Sequence, residues 1–148
     1  MIDLDLRIAD PAWDDALATL TETCQTALNA GAAQKQATGE VSLLLTGDDE
    51  IQALNRDWRS KDSPTDVLSF PASPLDTPFL GDIAVSLGVT QKDAAARGIA
   101  LDQHLSHLLI HGLMHLLGHD HKDDTEAAEM ESLEIAALAS LGWPDPYK

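Results

Sequence analysis

Residues 2–8, IDLDLRI, alternate apolar and charged side chains, the period-two pattern of a strand with one buried face. After Pro11 the period lengthens, and Trp13, Leu17, Leu20, Cys24 and Leu28 recur at steps of three and four until an Asn29–Gly31 stop, which predicts one amphipathic helix. EVSLLLT at 40–46 predicts a second strand, followed by a helix carrying Ile51, Leu54 and Trp58 with Asp48 or Asp49 as its cap. The polar segment RSKDSPTD at 59–66 contains Pro64 and reads as a loop. DVLSF at 66–70 and GDIAVSL at 81–87 are the next strands, joined by a linker bearing Pro71, Pro74 and Pro78. An alanine-rich helix from Thr90 to Arg97 ends at Gly98, an apolar helix from Leu101 to Leu117 ends at Gly118, and a last helix spans about 124–140 before Gly142 and Pro144.

Four strand patterns among five helical ones predict an α/β (α+β) fold: a mixed four-stranded sheet packed with helices. A length of 148 residues with 44% apolar content suits one domain, 1–148, around a single core. The start of the chain lacks the basic and continuously apolar stretches of a signal peptide, and the most apolar segment, 105–117, is interrupted by histidines, so a cytoplasmic protein with no membrane partner is expected. Cys24 is the only cysteine, which excludes an internal disulfide and a cysteine-rich zinc site.

Charge adds two constraints. Against 25 Asp and Glu stand 9 Lys and Arg, for a net charge of −16, which disfavours a broad nucleic-acid surface. Arg56, Arg59 and Lys61 nevertheless form a local basic cluster. The late acidic run, Asp123, Asp124, Glu126, Glu129, Glu131 and Glu134, reads as a solvated helix face.

The segment HGLMHLLGHDH at 111–121 carries the chemistry. His111 and His115 stand four apart on a predicted helix and project from one face about one turn apart. Gly118 can take the left-handed conformation that ends the helix, so that His121 returns as a third ligand. The full spacing, H-x-x-x-H-x-x-G-x-x-H, is a metal-site template, and three histidines leave a tetrahedral ion one position for water, as in catalytic zinc. His119 is the rival third ligand if the helix continues past Gly118; His104 and His107 read as structural or supporting groups. Metalloproteases with this spacing place a glutamate directly after the first histidine, and here that position is Gly112. Phosphodiester cleavage needs instead a cation for the phosphate, and Arg59 and Lys61 are the candidates.

LNRDWRSKDSPTDVLSFP at 54–71, LGDIAVS at 80–86 and HGLMHLLGHDH at 111–121 together resemble the three signature blocks of the YbeY-type endoribonucleases, the ribosomal RNA maturation factors, in the same order and at compatible spacing. The resemblance covers nearly the whole chain. It implies a metal-dependent, single-strand-preferring endoribonuclease acting in maturation of small-subunit ribosomal RNA and in ribosome quality control, with one Zn2+ on His111, His115 and His121 and with Arg59 as the functional arginine. On that reading His115 and Arg59 are catalytic, Arg59, Lys61, Asp66 and Asp82 are candidate substrate-binding residues of the cleft, and the partners are single-stranded RNA, ribosomal RNA and the small ribosomal subunit or its associated factors. Asp66 and Asp82 equally fit caps or turns at strand starts. His119 departs from the family pattern, which carries an aromatic there. Two alternatives remain: a non-catalytic, zinc-braced assembly factor, and a metalloprotease or amidase drawing its base from Asp120 or Glu126.

Overall fold

A computed structural model describes residues Met1–Lys148. Four strands, β1 (Ile2–Ile8), β2 (Gly39–Thr46), β3 (Val67–Pro71) and β4 (Phe79–Ser86), form one sheet in the order β1-β2-β4-β3. β1, β2 and β4 run parallel, with Leu4 opposite Val41 and Leu43 opposite Ile83, and β3 runs antiparallel to β4 at the edge. Parallel neighbours require crossover connections, which the helices supply: α1 (Ala12–Ala16) and α2 (Leu20–Gln34) between β1 and β2, and α3 (Asp48–Arg59) after β2. The chain continues through α4 (Leu87–Arg97), α5 (Leu101–Leu116) and α6 (Asp124–Ser140). The mixed sheet packed with helices is therefore the fold that the periodicities predict.

Alternation along the strands separates two faces. Val41, Leu43, Leu45, Ile83 and Val85 enter the main core with Leu28, Leu105, Leu109, Leu113 and Met114 from α2 and α5. The opposite face carries a smaller cluster of Ile51, Leu68 and Ala84 beneath α3. α5 is the most buried helix, with every residue from His104 to Ile110 inside. Each fully buried leucine there contributes about 1.5–3 kcal/mol, so α5 is held rigidly along its length. No helix is long and apolar enough to cross a membrane.

Three local expectations are corrected. The single helix predicted after Pro11 is two, because Leu17 is extended (φ −148°) and separates α1 from α2. The break turns Trp13 fully into the core, where its indole Nε1 donates to the Thr46 carbonyl at 2.9 Å. The predicted stop at Asn29–Gly31 is continuous helix. Asn29 uses its side chain to accept from the Ile2 backbone N–H at 2.9 Å, and Gly31 sits where a Cβ would lie 3.1 Å from Leu113 Cδ2. Gly31 thus marks the close approach of α2 to α5, and tertiary packing outweighs its poor helix propensity. Asp48 does not cap its own helix: Gly47 is the N-cap of α3, and the Asp48 carboxylate reaches across to accept from the Ser86 hydroxyl and, at 3.1 Å, from the Val89 N–H. That cross-element cap lets α4 start at Leu87, three residues before the expected Thr90. Replacing Gly31 with leucine should overpack the α2–α5 contact and lower unfolding stability by about 1–3 kcal/mol, read as a reduced urea midpoint.

Candidate metal centre

The end of α5 is built by Gly118. With φ at +95°, it lets its own N–H reach the His115 carbonyl at 3.1 Å and the His119 N–H reach the Met114 carbonyl at 2.9 Å. These are the paired bonds of a Schellman C-terminus, and they reverse the chain as the glycine predicts. His121 is thereby returned toward the helix: its ring stacks 5.7 Å from that of His111 and lies 5.2 Å from that of His115. One nitrogen from each of His111, His115 and His121 falls within 4.8 Å of the others. His119 contributes its carbonyl rather than its ring, accepting from His115 Nδ1 at 3.1 Å.

The hydrogen bonds fix which nitrogens face inward. His111 Nδ1 donates to Glu134 Oε2 at 3.1 Å and His115 Nδ1 donates to the His119 carbonyl, so in the neutral rings both Nε2 atoms carry lone pairs. Those two Nε2 atoms lie 3.2 Å apart. Two lone pairs at that distance repel unless a cation sits between them, and the spacing is close to the edge, about 3.3 Å, of a tetrahedron of Zn–N bonds of about 2.0–2.1 Å. The donor set therefore fits a divalent metal. Burial lowers the His115 pKa, and the charges of His111 and His121 lower it further, which keeps its ring neutral for ligation.

Glu134 is the residue that sequence reasoning misplaced. Rather than belonging to a solvated acidic face, it is wholly buried. Its carboxylate accepts from His107 Nε2 at 2.6 Å, from the Tyr147 hydroxyl at 2.7 Å and from His111. Burial alone would raise its pKa, but the three hydrogen bonds, from His107, His111 and Tyr147, outweigh it and hold the group down at about 2. A carboxylate behind a ligating histidine fixes the tautomer and strengthens the ligand. The signal was present in the spacing: Met130, Glu134, Ala137 and Leu138 share one buried stripe of α6. Of the rest of the run, Asp124, Glu126 and Glu129 are exposed as expected and Glu131 is half-buried, while Asp123 caps α6 by accepting from the Glu126 N–H at 2.8 Å.

The three histidines open on a cleft of about 610 Å³ whose other wall includes Arg59, Lys61, Asp66 and Ser69. Arg59 is steadied there by donating to the Ser69 carbonyl and by lying 5.2 Å over the Phe70 ring. The loop that carries Lys61 is tied down by Asn55, whose side-chain amide donates to the Ser63 carbonyl at 2.9 Å. Asp66 lines this cleft and also accepts from the Val67 N–H at 2.7 Å, so it is both a wall and a strand-start cap. Asp82 is not brought to the histidines: it lines a separate groove of about 420 Å³ on the opposite face of the sheet, with Arg7, Trp58 and Phe70. Of the two carboxylates offered as a protease base, Asp120 lines the histidine cleft and accepts from the His121 N–H at 2.8 Å, whereas Glu126 is turned to the Lys122 N–H. Gly112, where the metalloproteases carry their glutamate, is closely packed: a Cβ there would lie 3.0 Å from Ser69 Oγ and 3.3 Å from Ile83, so a side chain would require both to shift.

The family described as Endoribonuclease YbeY matches residues 7–142. Similar chains named Endoribonuclease YbeY occur in Stutzerimonas stutzeri, 46% identical over 99% of this chain and 92% of the relative, and in Pseudomonas putida, 44% identical over 99% and 94%. A third, from Allorhizobium ampelinum, is 50% identical over 73% of this chain and 68% of its own. The solution structure of a Thermotoga maritima protein shares the fold, with a TM-score of 0.57, 24% identity, and coverage of 100% of this chain and 99% of that one.

Replacing Glu134 with glutamine should weaken metal binding by about 10–100-fold, measured by competition with a chromophoric chelator. The folded-state pKa of Glu134 is depressed from 4.5 to about 2, so its stabilisation is complete above 4.5 and disappears as pH falls toward 2. Acid unfolding of the metal-free protein should show that loss in the wild type and a smaller one in Glu134→Gln.

Proposed function

Since the chain belongs to the YbeY endoribonuclease family, we propose that it is a metal-dependent endoribonuclease, one domain over 1–148, cutting single-stranded RNA in the maturation of small-subunit ribosomal RNA and in ribosome quality control. The observation that carries the reading is the meeting, in one cleft, of three convergent imidazoles and the Arg59 guanidinium. His111, His115 and His121 hold the metal, zinc by donor chemistry. When bound there, such an ion supplies Lewis acidity toward a phosphodiester oxygen and acidifies water.

The chain's own groups do the rest. Arg59, with its stem packed on Phe70 and one nitrogen on the Ser69 carbonyl, is pre-oriented to grip the non-bridging oxygens of a phosphodiester and to stabilise the charge that grows there. Lys61 adds a second positive charge to the same wall. Glu134 fixes the His111 tautomer and the His119 carbonyl fixes that of His115, so in the neutral rings the metal-facing nitrogens carry the lone pairs. The small ribosomal subunit or its associated factors are the partners on this reading.

The net charge of −16 makes this local arrangement necessary, because the rest of the surface repels RNA. Binding should therefore depend only weakly on added salt, which screens the surface repulsion as well as the contacts of Arg59 and Lys61, and it should improve with millimolar magnesium.

Arg59→Ala should abolish cleavage of a single-stranded RNA while the bound metal stays at one equivalent per histidine centre. His115→Ala should lose both cleavage and that metal. Unchanged cleavage by Arg59→Ala, followed on denaturing gels beside metal analysis, removes Arg59 from the mechanism.

A further inference from the structure

Two turns back along α5 from the histidine centre lies a second group of potential ligands, Asp66, Asp93 and His104, whose ligand atoms are all within 4.8 Å of one another. They come from three separate places: the start of β3, the middle of α4 and the buried stretch of α5. His104 is only 2% exposed, and neither of its ring nitrogens has a hydrogen-bond partner. A buried imidazole with both nitrogens unsatisfied is unfavourable and calls for a ligand. The two carboxylates are too far from it to hydrogen-bond and close enough to share an ion with it.

We propose that Asp66, Asp93 and His104 bind a second divalent transition-metal ion, distinct from the three-histidine centre. One imidazole and two carboxylates form a mixed nitrogen–oxygen donor set, which suits Mn2+ or Zn2+ better than the all-oxygen preference of Ca2+ and Mg2+. Two carboxylates also neutralise the charge of such an ion. Asp66 is held in place before any ion arrives, because its Oδ1 accepts from the Val67 N–H at 2.7 Å and from the Thr65 hydroxyl at 3.3 Å, which aims the carboxylate. Burial, with Arg97 and His107 nearby, holds the His104 pKa down and leaves a lone pair at neutral pH.

The seven-position step from His104 to His111 corresponds to roughly 10 Å of helix rise, far beyond the 3.5–4 Å of a two-metal catalytic pair. The second ion is therefore a brace. It ties α4 and α5 to the end of the loop that follows Arg59 and carries Lys61, and Asp66 transmits that tie directly to the cleft wall.

Calorimetric titration of the metal-stripped full chain with Mn2+, repeated with Zn2+, tests this without any activity assay. Wild type should take up two ions, His115→Ala one, Asp93→Asn one, and the double variant none. The one ion left in His115→Ala should raise its thermal midpoint, and this rise should vanish in the double variant. Asp66→Asn serves in place of Asp93→Asn if circular dichroism shows that the latter is unfolded. A single ion in the wild type, or an unchanged count in both aspartate variants, overturns the second site, as does a His115→Ala protein that binds none. Loss of the ion from His115→Ala together with retention in Asp93→Asn identifies the histidine centre as the sole site and likewise overturns it.

Discussion

Two imidazole nitrogens facing each other 3.2 Å apart, with their opposite nitrogens already committed, set the terms for this molecule. Neither His111 Nε2 nor His115 Nε2 can satisfy the other in the neutral state, and protonating one places a charge beside two further histidines. A divalent cation relieves both difficulties. The helix supplies the pair through its i, i+4 geometry, and the left-handed Gly118 supplies the third ring by reversing the chain within three residues.

The fold places this arrangement where it can be both rigid and reachable. α5 is buried along its middle by α2, α6 and the sheet, and it is partly exposed at its first turn and again toward its C-terminus, where the histidines meet the cleft. Gly31 and Gly112 allow the close approaches that fix α5 against α2 and against β3. Glu134, buried among His107, His111 and Tyr147, couples α6 to the first of the three convergent histidines, so that the last helix and Tyr147 help orient the donors of the candidate metal centre. The cleft's opposite wall comes from the α3–β3 connection, the one polar, proline-bearing loop positioned to bring Arg59 to the histidines.

What could be read in advance followed local rules. The His111, His115, Gly118, His121 spacing is set by helix geometry and by glycine's left-handed freedom, both properties of short segments, and the strands and the last two helices followed from periodicity. The misreadings all involved long-range partners. Asn29 and Gly31 look like a stop until Ile2 and Leu113 are placed against them; Asp48 looks like its own helix's cap until α4 is brought alongside. Glu134 was indistinguishable from its exposed acidic neighbours by charge, although its register with Met130 and Ala137 carried the information. Asp82 failed as a cleft residue because strand alternation, known in principle, could not say which face of the sheet the histidines would occupy.

X-ray absorption at the zinc edge, on protein carrying one equivalent of zinc and the Asp93→Asn change, tests the central arrangement most directly. The expected first shell holds three nitrogen scatterers of imidazole type and one light oxygen or nitrogen atom at about 2.0–2.1 Å. A shell dominated by carboxylate oxygens, or one with fewer than three imidazoles, would contradict the three-histidine centre.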